Sequence, residues 1–224
     1  MKHLISVKTF NNGVMSVSEF KNANLDKKEV VGIVLQTEVI GLILALPSWE
    51  EAWGSEDICV DVKDKKDYIG EAKALTTLCG LEATKRIVAA HKDYKDMYAA
   101  KRCLEYDCAG LQWYLPSLYE LGTLAAYKDE INAALEELGL PDAKLKDNWS
   151  WSSSEYYQAL AWVVNFSNGY FYSGNKYSGN VVRAVCAFES LRGVLSTPSL
   201  TDDELISMLR ERNYKGEITK TFKL

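Results

Sequence analysis

Residues 30–46 carry two short apolar runs rich in β-branched side chains. They are Val30-Val-Gly-Ile-Val-Leu35 and Val39-Ile-Gly-Leu-Ile-Leu-Ala-Leu46, separated by the polar Gln36-Thr-Glu38. Runs this brief and this hydrophobic read as two adjacent strands buried in a core, with the polar triplet as the turn between them. The same triplet interrupts the stretch too early for it to span a bilayer. Pro47 stops the second strand, and Trp49 and Trp53 are read as part of a loop after it.

The flanking segments complete an α+β order. Around an Asn12-Gly13 turn signal, residues 4–20 alternate weakly and predict a short hairpin. Residues 54–80 are charged and irregular. Over residues 82–106, Ile87, Ala90, Tyr94, Met97, Tyr98 and Cys103 recur at helical spacing, with a break near Lys95-Asp96. A second helix opens at Ser117, whose partner Glu120 completes a capping box, and runs to Gly139 as its C-terminal stop. From Trp149 the pattern turns to short strands, with a hairpin at Ser167-Asn-Gly169 and a polar connection over residues 176–180. Its strongest strand is predicted at 181–188. Strands, then two helices, then a block of short antiparallel strands argue against alternating βαβ units. The expected divisions are an N-terminal extension over 1–29, one domain over 30–191, and a helix–strand appendage over 192–224. That appendage is too small to hold a core alone and must dock onto the domain, another copy or a larger assembly.

Composition narrows the function classes. Of 224 residues, 47% are hydrophobic, enough for a proper core, and the net charge of −5 offers no basic field for nucleic acid. The five cysteines (Cys59, Cys79, Cys103, Cys108 and Cys186) contain no CxxC pair. They read as buried, inert thiols in a reducing compartment. His3 and His91, the only histidines, lack ligand-spaced partners, so no metal or cofactor is expected. The N-terminus lacks a continuous apolar signal-peptide core, and neither membrane insertion nor secretion by that route is expected.

The stretch from Trp149 to Arg183 mixes aromatic rings with Ser, Gly and Asn, a composition suited to recognition. Tyr offers large contact area at little torsional cost, and small polar neighbours adapt their hydrogen bonds. Tyr156, Tyr157, Tyr170, Tyr172 and Tyr177 are the candidate anchors. Arg183, amid valines, needs a partner, for which Glu155 is the expected residue. No nucleophile–base pair, carboxylate dyad or phosphate loop emerges, so no catalytic residue is assigned and the chain is read as a non-enzyme.

Several segments together resemble a known family. They are Tyr98-Ala-Ala-Lys-Arg-Cys103, Trp113-Tyr-Leu-Pro-Ser-Leu-Tyr-Glu-Leu121, Ile131-Asn-Ala-Ala-Leu135, Trp151-Ser-Ser-Ser-Glu-Tyr156, Ala161-Trp-Val-Val-Asn-Phe-Ser-Asn-Gly169 and Val182-Arg-Ala-Val185. Over roughly residues 30–190 the chain resembles the C-type-lectin-like domains of gut Bacteroidales and their phages, related in fold to the formylglycine-generating-enzyme group. The resemblance implies a C-type-lectin-like fold with paired terminal strands. Some members are variable proteins of diversity-generating retroelements, whose terminal block is rewritten at Asn codons. On that likeness the variable, ligand-binding positions are Tyr157, Gln158, Ala159, Leu160, Val163, Tyr170, Tyr172, Ser173, Gly174, Asn175, Tyr177, Ser178, Gly179 and Asn180, with Gln158 possible as a fixed residue. Trp149, Trp151 and Trp162 are packing residues by the same likeness. The triplets that chelate calcium in sugar-binding lectins are absent. The implied function is binding of a protein or cell-surface ligand, in a phage tail tip or in the cytoplasm of the producing bacterium. A structural phage or fimbrial component is the alternative, and an enzyme using Cys186 with a second thiol is a further one.

Overall fold

The computed structural model describes residues 4–11, 13–62 and 67–188. The expected appendage over 192–224 lies outside them, as do the helix and strand read within it. The first sheet contains β1 (Leu4–Thr9), β2 (Val14–Met15), β3 (Val30–Gln36), β4 (Gly41–Ala45) and β10 (Val185–Ala187), in the order β10-β4-β3-β1-β2. The second contains β5 (Trp49–Glu51), β6 (Trp149–Tyr157), β7 (Leu160–Asn165), β8 (Phe171–Asn175) and β9 (Asn180–Val182), in the order β5-β9-β6-β7-β8.

The two apolar runs do pair, antiparallel, from Gly32/Ala45 to Gln36/Gly41. Their turn is closed by Thr37, whose hydroxyl accepts from the Val39 and Ile40 amides. Register explains why both faces are apolar. Val34, Ile43 and Cys186 lie across β3, β4 and β10 toward the cluster around Trp53, Trp113 and Trp151. Ile33, Leu44 and Val185 face the opposite side. β1 pairs with β3 along its length, so residues 4–9 belong to this sheet. The terminal strand β10 pairs with β4, not with β1.

Among the described residues there are six short α-helices, where two are expected over residues 82–139. The predicted first hairpin forms, but its return strand is two residues long. Ser16 then caps α1 (Val17–Asn22) through a capping box with Glu19, a local signal that the weak alternation masks. A single turn, α2 (Glu71–Ala74), lies in the irregular region. The long helical pattern divides into α3 (Leu81–Ala90) and α4 (Ala99–Leu104), with the break falling where it was expected. After the Ser117–Glu120 capping box, α5 (Leu118–Ala126) and α6 (Lys128–Glu137) meet at Tyr127, which ends one and starts the other. α6 closes as read from Gly139: its φ is +69°, its N–H donates to Glu136 O, and Leu140 N–H donates to Leu135 O. α5 packs on β6 and β7, while α6 packs on β1 and β3. The helix pair thus covers both sheets, and at Gly122 α5 also meets the Phe171 ring of β8.

Three further expectations are corrected. Trp49 is in β5 rather than in a loop. The single strand over 181–188 is two strands in different sheets, with Arg183 and Ala184 at the crossing. A valine-rich alternation is the same for one long strand and for two short ones, so the split was invisible in sequence. Arg183 is not paired with Glu155. Its Nη1 donates to Ala45 O (2.9 Å) and Leu46 O (2.7 Å), and its Nη2 to Ala143 O (2.9 Å) and Lys144 O (3.2 Å). Four carbonyl dipoles stand in for a carboxylate and tie the sheet crossing to two loops. Burial lowers the guanidinium to about 10, which still leaves it charged at neutral pH.

Candidate functional site

The candidate face is built on the β6–β7–β8 meander. Gln158 and Ala159 form the two-residue turn between Tyr157 and Leu160, which pair across it. All four are half-buried. β7 is central and buried on both faces. β8 runs back along it in continuous register from Leu160/Asn175 to Val164/Phe171.

The outward-facing rings are where the sequence placed them. Tyr170, Tyr172 and Tyr177 are 70%, 65% and 63% exposed. Tyr156 is half-buried between Trp162 (5.0 Å between ring centres) and Tyr68 (6.1 Å). The positions do not form one compact patch. Tyr157–Leu160 and Asn175–Asn180 gather at one end of the sheet, where Lys176 N–H donates to Ala159 O. Tyr170 and Tyr172 stand toward the other end. At about 3.4 Å per residue, Tyr172 stands about 10 Å and Tyr170 about 17 Å along the strand from Asn175. The face is therefore a strip along one sheet edge.

Two proposed positions are structural. Val163 is only 2% exposed and faces the core cluster with Trp151 and Ala161, so its place in the binding face is withdrawn. Gly174 lies against Trp151: a Cβ there would sit 2.8 Å from the indole Cη2. It is a glycine by packing, because the Trp151 ring occupies the space a side chain needs. Conversely Trp149, expected in the core, is 38% exposed and lies 5.9 Å from the Tyr172 ring. Alternation puts Trp149 and Trp151 on one face of β6, but the core reaches only the second of them. Trp151 and Trp162 are buried as expected, their indole N–H groups donating to Glu51 O and Ile69 O.

Beneath the strip lies a feature the sequence concealed. Lys176, read as part of a polar connection, is fully buried with Glu155. Its ammonium donates to Glu155 Oε1 at 2.5 Å and Ile58 O at 2.8 Å, and lies 4.5 Å above the Trp53 ring. Glu155 also accepts from the backbone N–H groups of Val60, Asp61 and Val62. Arg86 clasps the Asp61 carboxylate with two hydrogen bonds, and His91 Nε2 accepts from Ser55 N–H. One buried ion pair therefore ties the loop over residues 54–62 to β6 and to the chain leaving β8. Nothing in the run Asn175-Lys-Tyr177 distinguishes this lysine from a surface one.

The thiols are all free, but not all buried. Cys103 and Cys186 are interior, Cys59 and Cys108 half-buried, and Cys79 exposed. Burial raises the Cys79, Cys103 and Cys186 thiols, which keeps them protonated. Glu120 accepts from Tyr114 Oη (2.7 Å), Ser117 N–H (2.8 Å) and Gly80 N–H (2.9 Å). Burial outweighs these donors and pushes its carboxyl up to about 7. Its contacts are those of a helix cap joined to a neighbouring loop. Among the described residues no three His, Cys, Asp or Glu side chains are grouped to hold a metal ion, and no helix is long and apolar enough to cross a membrane.

Residues 61–186, more than half of the chain, match the family described as the Lcl C-terminal domain. The chain belongs to the Lcl C-terminal domain family. The match takes in α2 through β9 and reaches into β10, including the whole strip. No curated protein matches the chain. Among solved structures, a fimbrial protein from Bacteroides ovatus shares the fold, with a TM-score of 0.59 at 16% identity. The likeness covers 82% of this chain and 48% of that one, so the chain spans about half the length of that fimbrial protein.

Proposed function

We propose that this Lcl-type domain is a non-enzymatic binding protein. Its C-type-lectin-like scaffold displays a replaceable strip made of Tyr157–Leu160, Tyr170 with the exposed residues of β8, and Tyr177–Asn180. The observation that carries this reading is the exposure of Tyr170, Tyr172 and Tyr177 along one sheet edge, with Trp149 beside them. Large rings left in water on a polar, glycine-containing edge are favourable contacts held in reserve for a partner. The buried Glu155–Lys176 pair and the Trp151 packing make the frame beneath rigid, so side chains on the strip can change without loss of the fold.

The ligand is a protein or cell-surface molecule, and the setting a phage receptor-binding tip or a bacterial display protein. Protonated thiols and the lack of a nucleophile–base pair on the strip support a non-catalytic role. Diversification by a retroelement is part of the proposal. It requires a near-copy of the 149–188 coding segment, differing at template adenines, beside a reverse transcriptase gene.

Ala at Tyr170, Tyr172 and Tyr177 together tests the face, using a ligand selected on the intact chain. Each anchor is worth about 1–2 kcal/mol, so binding should weaken by about two orders of magnitude or more while the melting temperature stays put. Unchanged affinity with unchanged folding refutes the strip. The fold likeness to a fimbrial protein favours a second reading, in which the strip is a subunit contact. A monomer by light scattering at high concentration removes that reading.

A further inference from the structure

Among the described residues, the main-chain groups on the outer edge of β8 have no strand partner. Asn165 N–H donates to Tyr170 O at 2.8 Å, and Lys176 N–H donates to Ala159 O at 2.9 Å. These two bonds set the phase of the β7–β8 ladder. Tyr170 C=O, the backbone groups of Tyr172 and Gly174, and Lys176 N–H face β7, while Tyr170 N–H donates to Asn168 Oδ1 and Lys176 C=O accepts from Trp53 and Gly54; the backbone groups of Phe171 and Ser173 face away from β7. No element among the described residues pairs with β8 on that side. The edge is closed only at one end, where Asn175 O accepts from Ser178 N–H at 2.9 Å.

Exposed edges are usually blunted by shortness, charge, proline or a bulge. The other three edges here follow that rule. β2 has two residues, β5 has three of which two are Glu50 and Glu51, and β10 has three with Val185 bonded in both directions to Tyr114. β8 has none of these guards: Phe171-Tyr-Ser-Gly-Asn175 has no charge and no proline, and its register has no bulge.

We propose that β8 accepts an extended peptide segment of the protein ligand as a sixth strand of this sheet. The inference rests on the binding-strip reading above and narrows its ligand to polypeptide rather than glycan. Outward N–H and C=O groups on alternate residues recur about every 6.8 Å, a spacing that an extended main chain matches. The segment's hydrogen bonds go to Phe171 and Ser173, and one of its side chains lies against the Tyr172–Trp149 pair. Residues laid along the edge are uncharged, because β8 offers no countercharge to a desolvated one.

Linear peptides selected from a random phage-displayed library on the intact chain are the probe. Their binding should slow hydrogen exchange at the Phe171 and Ser173 amides. Ser173→Pro, which removes an outward N–H and no β7 bond, should weaken them about tenfold or more. Should that variant fail to fold, exchange in the unaltered protein decides. Selection of no linear peptide overturns strand addition, as does a bound peptide that leaves both amides exchanging freely. If the triple tyrosine replacement abolishes binding while these amides never respond, the strip stands and strand addition falls. If neither perturbation affects binding, both fall.

Discussion

Replacing Lys176 with methionine tests the frame beneath the strip. The lysine stem crosses the interior, and its ammonium meets Glu155 at 2.5 Å, Ile58 O at 2.8 Å and the Trp53 face at 4.5 Å. Methionine keeps most of the stem volume and a sulfur–aromatic contact with Trp53. It removes two hydrogen bonds and the positive charge that faces the buried Glu155 carboxylate. Breaking a buried ion pair from one side costs about 3–5 kcal/mol, mainly because the other charge is stranded. Here three backbone N–H groups still solvate Glu155, which places the cost near the lower end, at about 3 kcal/mol. In a domain of this size that lowers the melting temperature by roughly 6–12 °C. Urea titration should show the midpoint shifting at constant slope, and exchange should accelerate at the amides of Val60, Asp61 and Val62. Adding Glu155→Gln should cost far less in the Lys176→Met background than alone, with a coupling of about 1 kcal/mol or more. A Lys176→Met protein within about 1 kcal/mol of the parent, or strictly additive single costs, refutes the assignment of Lys176 as the keystone of loop 54–62.

Two other perturbations separate frame from strip and cap from catalyst. Gly174→Ala forces a methyl to within 2.8 Å of Trp151 and should cost about 1–3 kcal/mol in chemical denaturation, whereas a freely variable surface position would tolerate it. Acid stability should reveal two opposed groups. Glu120, raised to about 7 from 4.5, holds an extra proton in the folded state across that window, so its contribution favours folding in acid and is lost as pH rises through 7. His91 does the reverse. Burial lowers its pKa, its Nδ1–H donates to Ile87 O and its Nε2 accepts from Ser55, so stability is lost as pH falls below its usual 6.5. Glu120→Gln should therefore steepen the loss of stability between about pH 7.5 and 5.5, by on the order of 1–3 kcal/mol. An equal or shallower slope contradicts the buried-carboxyl account.

Much of the local structure was legible because its causes are local. The Ser117–Glu120 box and the Gly139 stop each satisfy helix-end groups with residues a few positions away. The paired apolar runs of β3 and β4 needed only adjacent burial, and the exposed tyrosines needed only a polar, turn-rich setting. The Ser16–Glu19 box was equally local, but a weak alternation with period two masked it. What failed involved distant partners. The sequence pairs Arg183 with the nearest chemically sensible acid in its block, whereas in the fold it meets four carbonyls, of residues 45, 46, 143 and 144. Glu155 found Lys176 instead, and Val163 and Gly174 proved to face Trp151.

Taken alone, the chain's residues determined an α+β domain with two adjacent apolar strands, capped helices and a tyrosine-rich block of short strands, since periodicity and end-capping act over a few residues. Only the tertiary arrangement decided which members of that block meet water. It split the last valine run between two sheets, drew Lys176 inside and Trp149 out, and set β8 at the end of the second sheet's strand order. Burial and countercharge depend on which segments come together across the chain, and no spacing along it records that.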